Sequence, residues 1–93
     1  MGKVSSLAEP GLELFFNSSD HLPPHFHAEK PGEWEVRVFF LRVVADMVEL
    51  KWALRAPSAR VLKKLCAAAE QRRAALLVEW ELKVFVGTPG EEQ

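Results

Sequence analysis

Apolar and polar residues alternate in several stretches of the first half of the chain, and the period changes towards 3.6 after residue 57. Leu12, Leu14 and Phe16 alternate with Glu13 and Phe15, which predicts a half-buried strand. Pro10-Gly11 precedes it, and the turn formers Asn17-Ser18-Ser19-Asp20 close it. His25 to Glu29 predicts a second strand, approached through Pro23-Pro24, which bias Leu22 and Pro23 towards extended backbone. Lys30-Pro31-Gly32-Glu33 reads as a turn. Trp34, Val36, Val38 and Phe40 alternate with Glu35, Arg37 and Phe39, the clearest strand of the chain. Val48, Leu50 and Trp52 alternate with Glu49 and Lys51 and predict a fourth. The connections are short, so neighbouring strands should be antiparallel.

Pro57-Ser58 opens a helix, with Ser58 as a cap or Pro57 in the first turn. On a helical wheel with Arg60 at zero, Val61, Leu62, Leu65, Cys66, Ala68 and Ala69 fall between about 80° and 240°. Arg60, Lys63, Lys64, Glu70 and Gln71 lie opposite. Arg72 and Arg73 would project from the apolar side of a straight helix, so the helix should end or bend near Gln71 to Arg73. The last segment fits two patterns. Val78, Trp80, Leu82, Val84 and Val86 alternate as in a strand, while Leu76, Leu77, Trp80 and Val84 form a helical stripe. Periodicity favours the strand.

Ninety-three residues, 48% of them hydrophobic and nine of them aromatic, are enough for one domain with a true core. Residues 1–10 lack a period and are expected to be a flexible N-terminus, and residues 87–93 a flexible tail, around a domain over 11–86. The lone Cys66 excludes an internal disulfide. Residues 1–10 lack the apolar run of a signal peptide, and no apolar stretch is long enough to span a bilayer. A cytoplasmic protein without membrane association is expected. The net charge of −1 conceals an asymmetry: residues 55–73 carry six Lys/Arg and one Glu, between two acidic blocks.

All three histidines fall within "HLPPHFHAEK", residues 21–30. On a strand, His25, His27 and Glu29 share a face at successive spacings of about 6.5–7 Å. Two imidazoles so placed can share a metal ion. His21 can supply a third nitrogen, and Asp20 or Glu29 can ligate or orient a ring. Three nitrogens and a water would make an open zinc-type site. A metal-free imidazole pocket for an anion or a partner's carboxylate uses the same residues. In a purely structural reading, Phe26 is core and the flanking histidines line the solvent face.

Nucleophilic catalysis has little support. Ser18, Ser19, Asp20 and His21 are too close in sequence to form a relay, and Cys66 sits on the apolar side of the helix. Arg60, Lys63 and Lys64, extended by Arg55, Arg72 and Arg73, form a basic stripe suited to phosphates. Such a stripe is more often simply solvated, and the slightly acidic chain argues against nucleic-acid binding.

The stretch "FFNSSDHLPPHFHAEKPGEWEV" resembles the bacterial proteins grouped as domain of unknown function 4160. Their pattern of an aromatic strand, Asn or Asp, and a His-x-Pro-Pro-His-Phe-His core is met by Phe16, Asn17, Asp20, His21, Pro23, Pro24, His25, Phe26, His27, Ala28 and Glu29. "VLKKLCAAAEQRRAALLVEWEL" is similar to the family's closing helical stretch with its tryptophan, here Trp80. The resemblance implies a small prokaryotic intracellular protein with strands first and helices last. It tips residues 76–83 from strand to helix. It also implies a loose association with toxin–antitoxin-like gene pairs, and so a protein partner. The apolar run between Val36 and Trp52 is longer than the family pattern.

The expected fold is α+β, with an antiparallel sheet of three to four strands over about 12–54. One face packs on a helix over about 58–71 and a shorter helix over about 74–84. The expected core is Leu14, Phe16, Phe26, Val36, Val38, Leu50, Leu62, Leu65, Leu77 and Trp80. The leading functional expectation is a ligand- or partner-binding module centred on His21, His25 and His27, with Asp20 and Glu29. A small metal-dependent hydrolase or nuclease using the three histidines, with a divalent metal such as zinc, competes with it. Nucleic-acid binding through Arg60, Lys63 and Lys64 is the third reading.

Overall fold

The computed structural model describes residues 2–84. The chain is α+β: five strands in an antiparallel sheet, then two helices. The strands are β1 (Gly2–Lys3), β2 (Glu13–Phe16), β3 (Phe26–Lys30), β4 (Trp34–Val38) and β5 (Val48–Ala53), paired in sequence order. A single 3-10 turn over Val44–Asp46 leads into β5. Helix α1 spans Ala59–Gln71 and α2 spans Arg73–Lys83.

The strand count exceeds the expected three to four because β1 forms inside the segment expected to be flexible. Gly2 pairs with Phe16 and Lys3 with Phe15. Val4 then enters the core, so the N-terminal segment is tied down on both sides. The expected tail over residues 87–93 lies outside the described residues. No helix among the described residues is long and apolar enough to cross a membrane.

Turn chemistry fixes the hairpin between β3 and β4. Gly32 has φ 78° after Pro31, and Glu33 N–H donates to Lys30 O at 2.9 Å. Proline at the first central position and a left-handed second one describe a type II turn, where glycine is the residue without steric cost. The resulting register places Ala28 opposite Val36 and Phe26 opposite Val38. Leu14 faces Ala28 on the other side. These side chains form one apolar face, and with Phe16 and Trp34 they belong to the same buried cluster as Leu65, Cys66, Ala69, Leu76 and Trp80 of the helices.

Nine of the ten expected core residues are buried or packed against that cluster, as the alternation anticipates. Leu62 and Leu77 are partly buried. Leu50 is the clear exception at 54% exposed. It lies on the correct face, opposite Val36, but β5 is the sheet's edge strand, and no helix covers this position of the apolar face. Cys66 is buried, and burial pushes its thiol up, consistent with its placement among the apolar residues of α1.

Ser58 caps α1 by accepting from Val61 N–H at 3.1 Å. The predicted break falls at Arg72, between the helices. Arg73 then turns towards the connection between β4 and β5, where its Nε donates to Phe40 O at 2.7 Å and its Nη2 to Arg42 O at 2.6 Å. Residues 76–83 are helix, against the strand pattern in the same letters.

Helix α2 is held to the N-terminal segment by a polar clamp. Glu79 is buried and accepts from Ser5 N–H at 2.6 Å, Ser6 N–H at 2.9 Å, Ser6 Oγ at 2.8 Å and Lys83 Nζ. Lys83 also donates to Lys3 O at 2.7 Å. Burial alone would raise the Glu79 carboxyl, but these donors outweigh it and lower it to about 2. Its folded value lies below the ordinary 4.5, so its contribution is full above that value and is lost as the pH falls from there towards 2. Glu79→Gln should cost about 1–3 kcal/mol at neutral pH and much less at about pH 3. Urea melts at the two pH values check this, and an equal cost at both would exclude the charge as the cause.

Candidate functional site

The face of the sheet opposite the helical core carries His27, the centre of a polar cluster whose other histidine, His25, also meets Trp80 of α2. Strand parity puts His27 there, because Phe26 and Ala28 point into the core. Phe15 faces His27 across β2 and β3, and the two rings stack at 5.0 Å with planes 8° apart. Arg37 faces His27 from β4. The face is not solvated at this point: His27 is only 2% exposed. The expectation that Phe26 is core holds, but the histidines do not simply line an open surface.

His27 is held at both ring nitrogens. Nδ1 lies 3.1 Å from Glu35 Oε2. Nε2 lies 3.0 Å from each carboxylate oxygen of Asp20 and 3.3 Å from Asn17 Nδ2. Glu35 in turn accepts from Lys51 Nζ and Trp52 Nε1, each at 3.2 Å. Burial would raise the Glu35 carboxyl, but the Lys51 and Trp52 bonds, with the Lys51 charge and His27, hold it below the ordinary carboxylate range. A register irregularity between Glu35 and Val36 lets Lys51 and Trp52 both reach Glu35.

Asp20 is placed by the turn after β2. Asp20 N–H donates to Asn17 O, and Asn17 N–H donates back to Asp20 Oδ2, both at 3.0 Å. This reciprocal bond aims the carboxylate at the histidines. His25 precedes β3 and reaches the same carboxylate, with Nε2 3.6 Å from Asp20 Oδ1. Its Nδ1 lies 2.9 Å from Pro23 O. The ring is wedged beside His27, Phe39 and Trp80, at centroid distances of 5.2, 4.9 and 5.5 Å. Burial holds the His25 ring below the ordinary imidazole range, against the opposite pulls of Pro23 O and Asp20.

One oxygen of Asp20 and one nitrogen each of His25 and His27 therefore lie within 4.8 Å of one another. The remaining predicted residues are placed elsewhere. His21 is exposed and lines the cleft above the cluster without joining it. Glu29 faces Glu13 and Glu35 across the neighbouring strands, outside the cluster. The side chains that converge are thus Asp20, His25 and His27 rather than the three histidines together, because the turn at residues 17–20 brings Asp20 inwards and leaves His21 on the rim. Arg60, Lys63 and Lys64 are exposed on α1, and Lys64 is 3.5 Å from Glu9. The groove beside them has mixed charge, with Glu9, Glu33, Arg55 and Arg60 in its walls.

Above the cluster lies a cleft of about 390 Å³. Asn17, Asp20, His21, His25, His27 and Phe39 contribute to its walls, with Arg37, Arg42, Glu49 and Lys51 around them. A family model, described as Domain of unknown function (DUF4160), matches residues 11–81, from just before β2 into α2. The chain belongs to this family. No curated protein and no solved structure matches it. The matched DUF4160 region contains Asp20, His25, His27 and Glu35, and so the whole cluster. The matched region includes Glu79 but omits the N-terminal segment it holds and the end of α2, where Lys83 donates to Lys3 O.

Sequence reasoning missed Glu35, Lys51 and Trp52 as supports of the site. Glu35 does carry a signal: it is an acid inside a strongly apolar strand, on the same side of the sheet as His27. Its link to His27 depends on pairing between β3 and β4, which residue spacing alone does not supply.

Proposed function

We propose that this DUF4160 chain is a divalent-metal-binding module whose ligands are Asp20, His25 and His27. One observation carries the reading. Each histidine has Nδ1 directed at an oxygen acceptor, and each then turns Nε2 towards the same carboxylate. A ring that donates from Nδ1 has a lone pair on Nε2 when neutral. Two lone pairs and a carboxylate converging on one point repel each other; the Asn17 amide, 3.3 Å from His27 Nε2, offsets part of this, and a cation between them offsets the rest. A proton relieves one ring, whereas a metal ion relieves both.

The spacing agrees with that assignment. Ligand bonds of about 2.0–2.1 Å at tetrahedral angles separate donor atoms by about 3.3 Å. The Asp20 oxygens stand 3.0 Å from His27 Nε2, and one stands 3.6 Å from His25 Nε2. Pro23 O and Glu35 are the outer partners that commonly fix the tautomer and basicity of ligating histidines. Two imidazoles and one carboxylate suit zinc, iron, cobalt or nickel better than calcium or magnesium. They leave coordination positions open towards the cleft, where a bound ion would supply Lewis acidity.

Calorimetric titration of zinc and cobalt into protein made without an affinity tag tests the proposal. One equivalent should bind. Asp20→Ala, His25→Ala and His27→Ala should each abolish tight binding, whereas His21→Ala should retain it. Glu35→Gln should weaken binding roughly 10–100-fold through its hold on His27. No uptake by the unaltered protein at micromolar metal would end the proposal.

A further inference from the structure

The metal position accounts for the floor of the cleft but not for its cationic rim. Arg37, Arg42 and Lys51 all line it. Two of these have nearby acids: Arg37 Nη1 donates to Glu49 at 3.0 Å, and Lys51 Nζ to Glu35 at 3.2 Å. Arg42 differs. Among the described residues it forms no ion pair, and its guanidinium carbon lies 4.0 Å from the centroid of the Phe39 ring. Stacking there leaves the N–H edges of the guanidinium free for a planar or tetrahedral oxyanion.

Arg42 is also preorganised. Arg73 holds the backbone of its loop through Phe40 O and Arg42 O, and Arg42 N–H donates to Phe39 O at 3.0 Å. The supporting ring touches the proposed metal site, since Phe39 lies 4.9 Å from His25. A fixed guanidinium thus stands one ring away from a proposed metal ligand, across a cleft whose volume of about 390 Å³ lies within the usual small-molecule range.

We infer that the cleft binds a phosphate or phosphoester group, with one oxygen on the metal and others on Arg42. This rests on the metal reading above. A phosphoryl group has several charged oxygens and can meet both positions at once, which a single carboxylate does less well. The rim gives the same sign: Arg37 and Lys51 are offset by Glu49 and Glu35, which leaves Arg42 against Asp20, and a divalent ion supplies the positive excess. The basic residues of α1 are not involved.

Phenyl phosphate is the probe, titrated by calorimetry into zinc-loaded protein freed of excess metal, with benzoate as the carboxylate arm. Phenyl phosphate should bind more tightly than benzoate. Arg42→Ala should keep the single equivalent of zinc but weaken phenyl phosphate roughly 10–100-fold. Lys64→Ala, on α1 and outside the cleft, should change neither. Zinc uptake without phenyl phosphate binding overturns the inference and leaves the metal reading standing. Equal affinity in Arg42→Ala, or preference for benzoate, also overturns it. Failure of zinc uptake removes the metal reading, and with it the inferred metal–oxygen contact.

Discussion

Phe26→Ala is expected to destabilise the protein by about 3–5 kcal/mol, as truncation of a buried aromatic ring does. Phe26 is fully buried in the middle strand of the sheet and stacks near Phe40, with centroids 6.3 Å apart. Its partner across β4 is Val38, also fully buried. Rigid neighbours on both sides leave little scope for the cavity to collapse. The total stability of a domain this small is about 5–10 kcal/mol, so the variant should be marginal or unfolded at room temperature. Urea denaturation followed by tryptophan fluorescence reads the change. A cost below about 1 kcal/mol would be incompatible with a buried, well-packed ring.

The orientation of Phe26 was legible because strand parity admits two faces and the apolar letters choose one. The same logic gave the course of β2, β4 and β5 and the break between the helices. It stopped short where the decision is made by the partner rather than by the strand. Leu50 obeys the alternation, yet lies on an edge strand that the helices leave exposed. β1 is two residues long and has no period to read; backbone pairing with Phe15 and Phe16 defines it. Residues 76–83 satisfy a strand and a helix alike, and only the family resemblance tipped them correctly. Their buried Glu79 is explained by Ser5 and Ser6, more than seventy residues earlier.

The candidate site shows the same division. The crowding of His21, His25 and His27 into one stretch located it, and parity separated His27 from Phe26. The choice of Asp20 over His21 depends on the Asn17–Asp20 turn. Glu35, Lys51 and Trp52 depend on strand register and on the irregularity beside Val36. Register is a property of paired strands. The sequence of one strand contains only its parity, so the clustered residues were partly visible and their supports were not.

That support has an energetic consequence, because His27 is nearly as buried as Phe26 and cannot be treated as a dispensable surface group. His27→Leu should cost about 1–3 kcal/mol in metal-free protein, the range for leaving buried hydrogen-bonding partners unmet. The side chains of Asp20 and Glu35 are 10% and 8% exposed, so neither carboxylate can fully recover its hydration. Glu35 retains Lys51 and Trp52, which places most of the loss at Asp20. Adding Asp20→Asn removes that charge. The double variant His27→Leu/Asp20→Asn should therefore be more stable than His27→Leu alone, with a coupling of about 0.5–3 kcal/mol in a double-mutant cycle. Metal binding should behave differently: it should be lost in His27→Leu and should not return in the double variant, because both proposed ligands are then gone. Urea melts of the wild type, the two single variants and the double variant, each with a zinc titration, separate the two roles. Additive melts would show that Asp20 and His27 do not act as a pair, and the cost of losing His27 would then lie in its packing against Phe15.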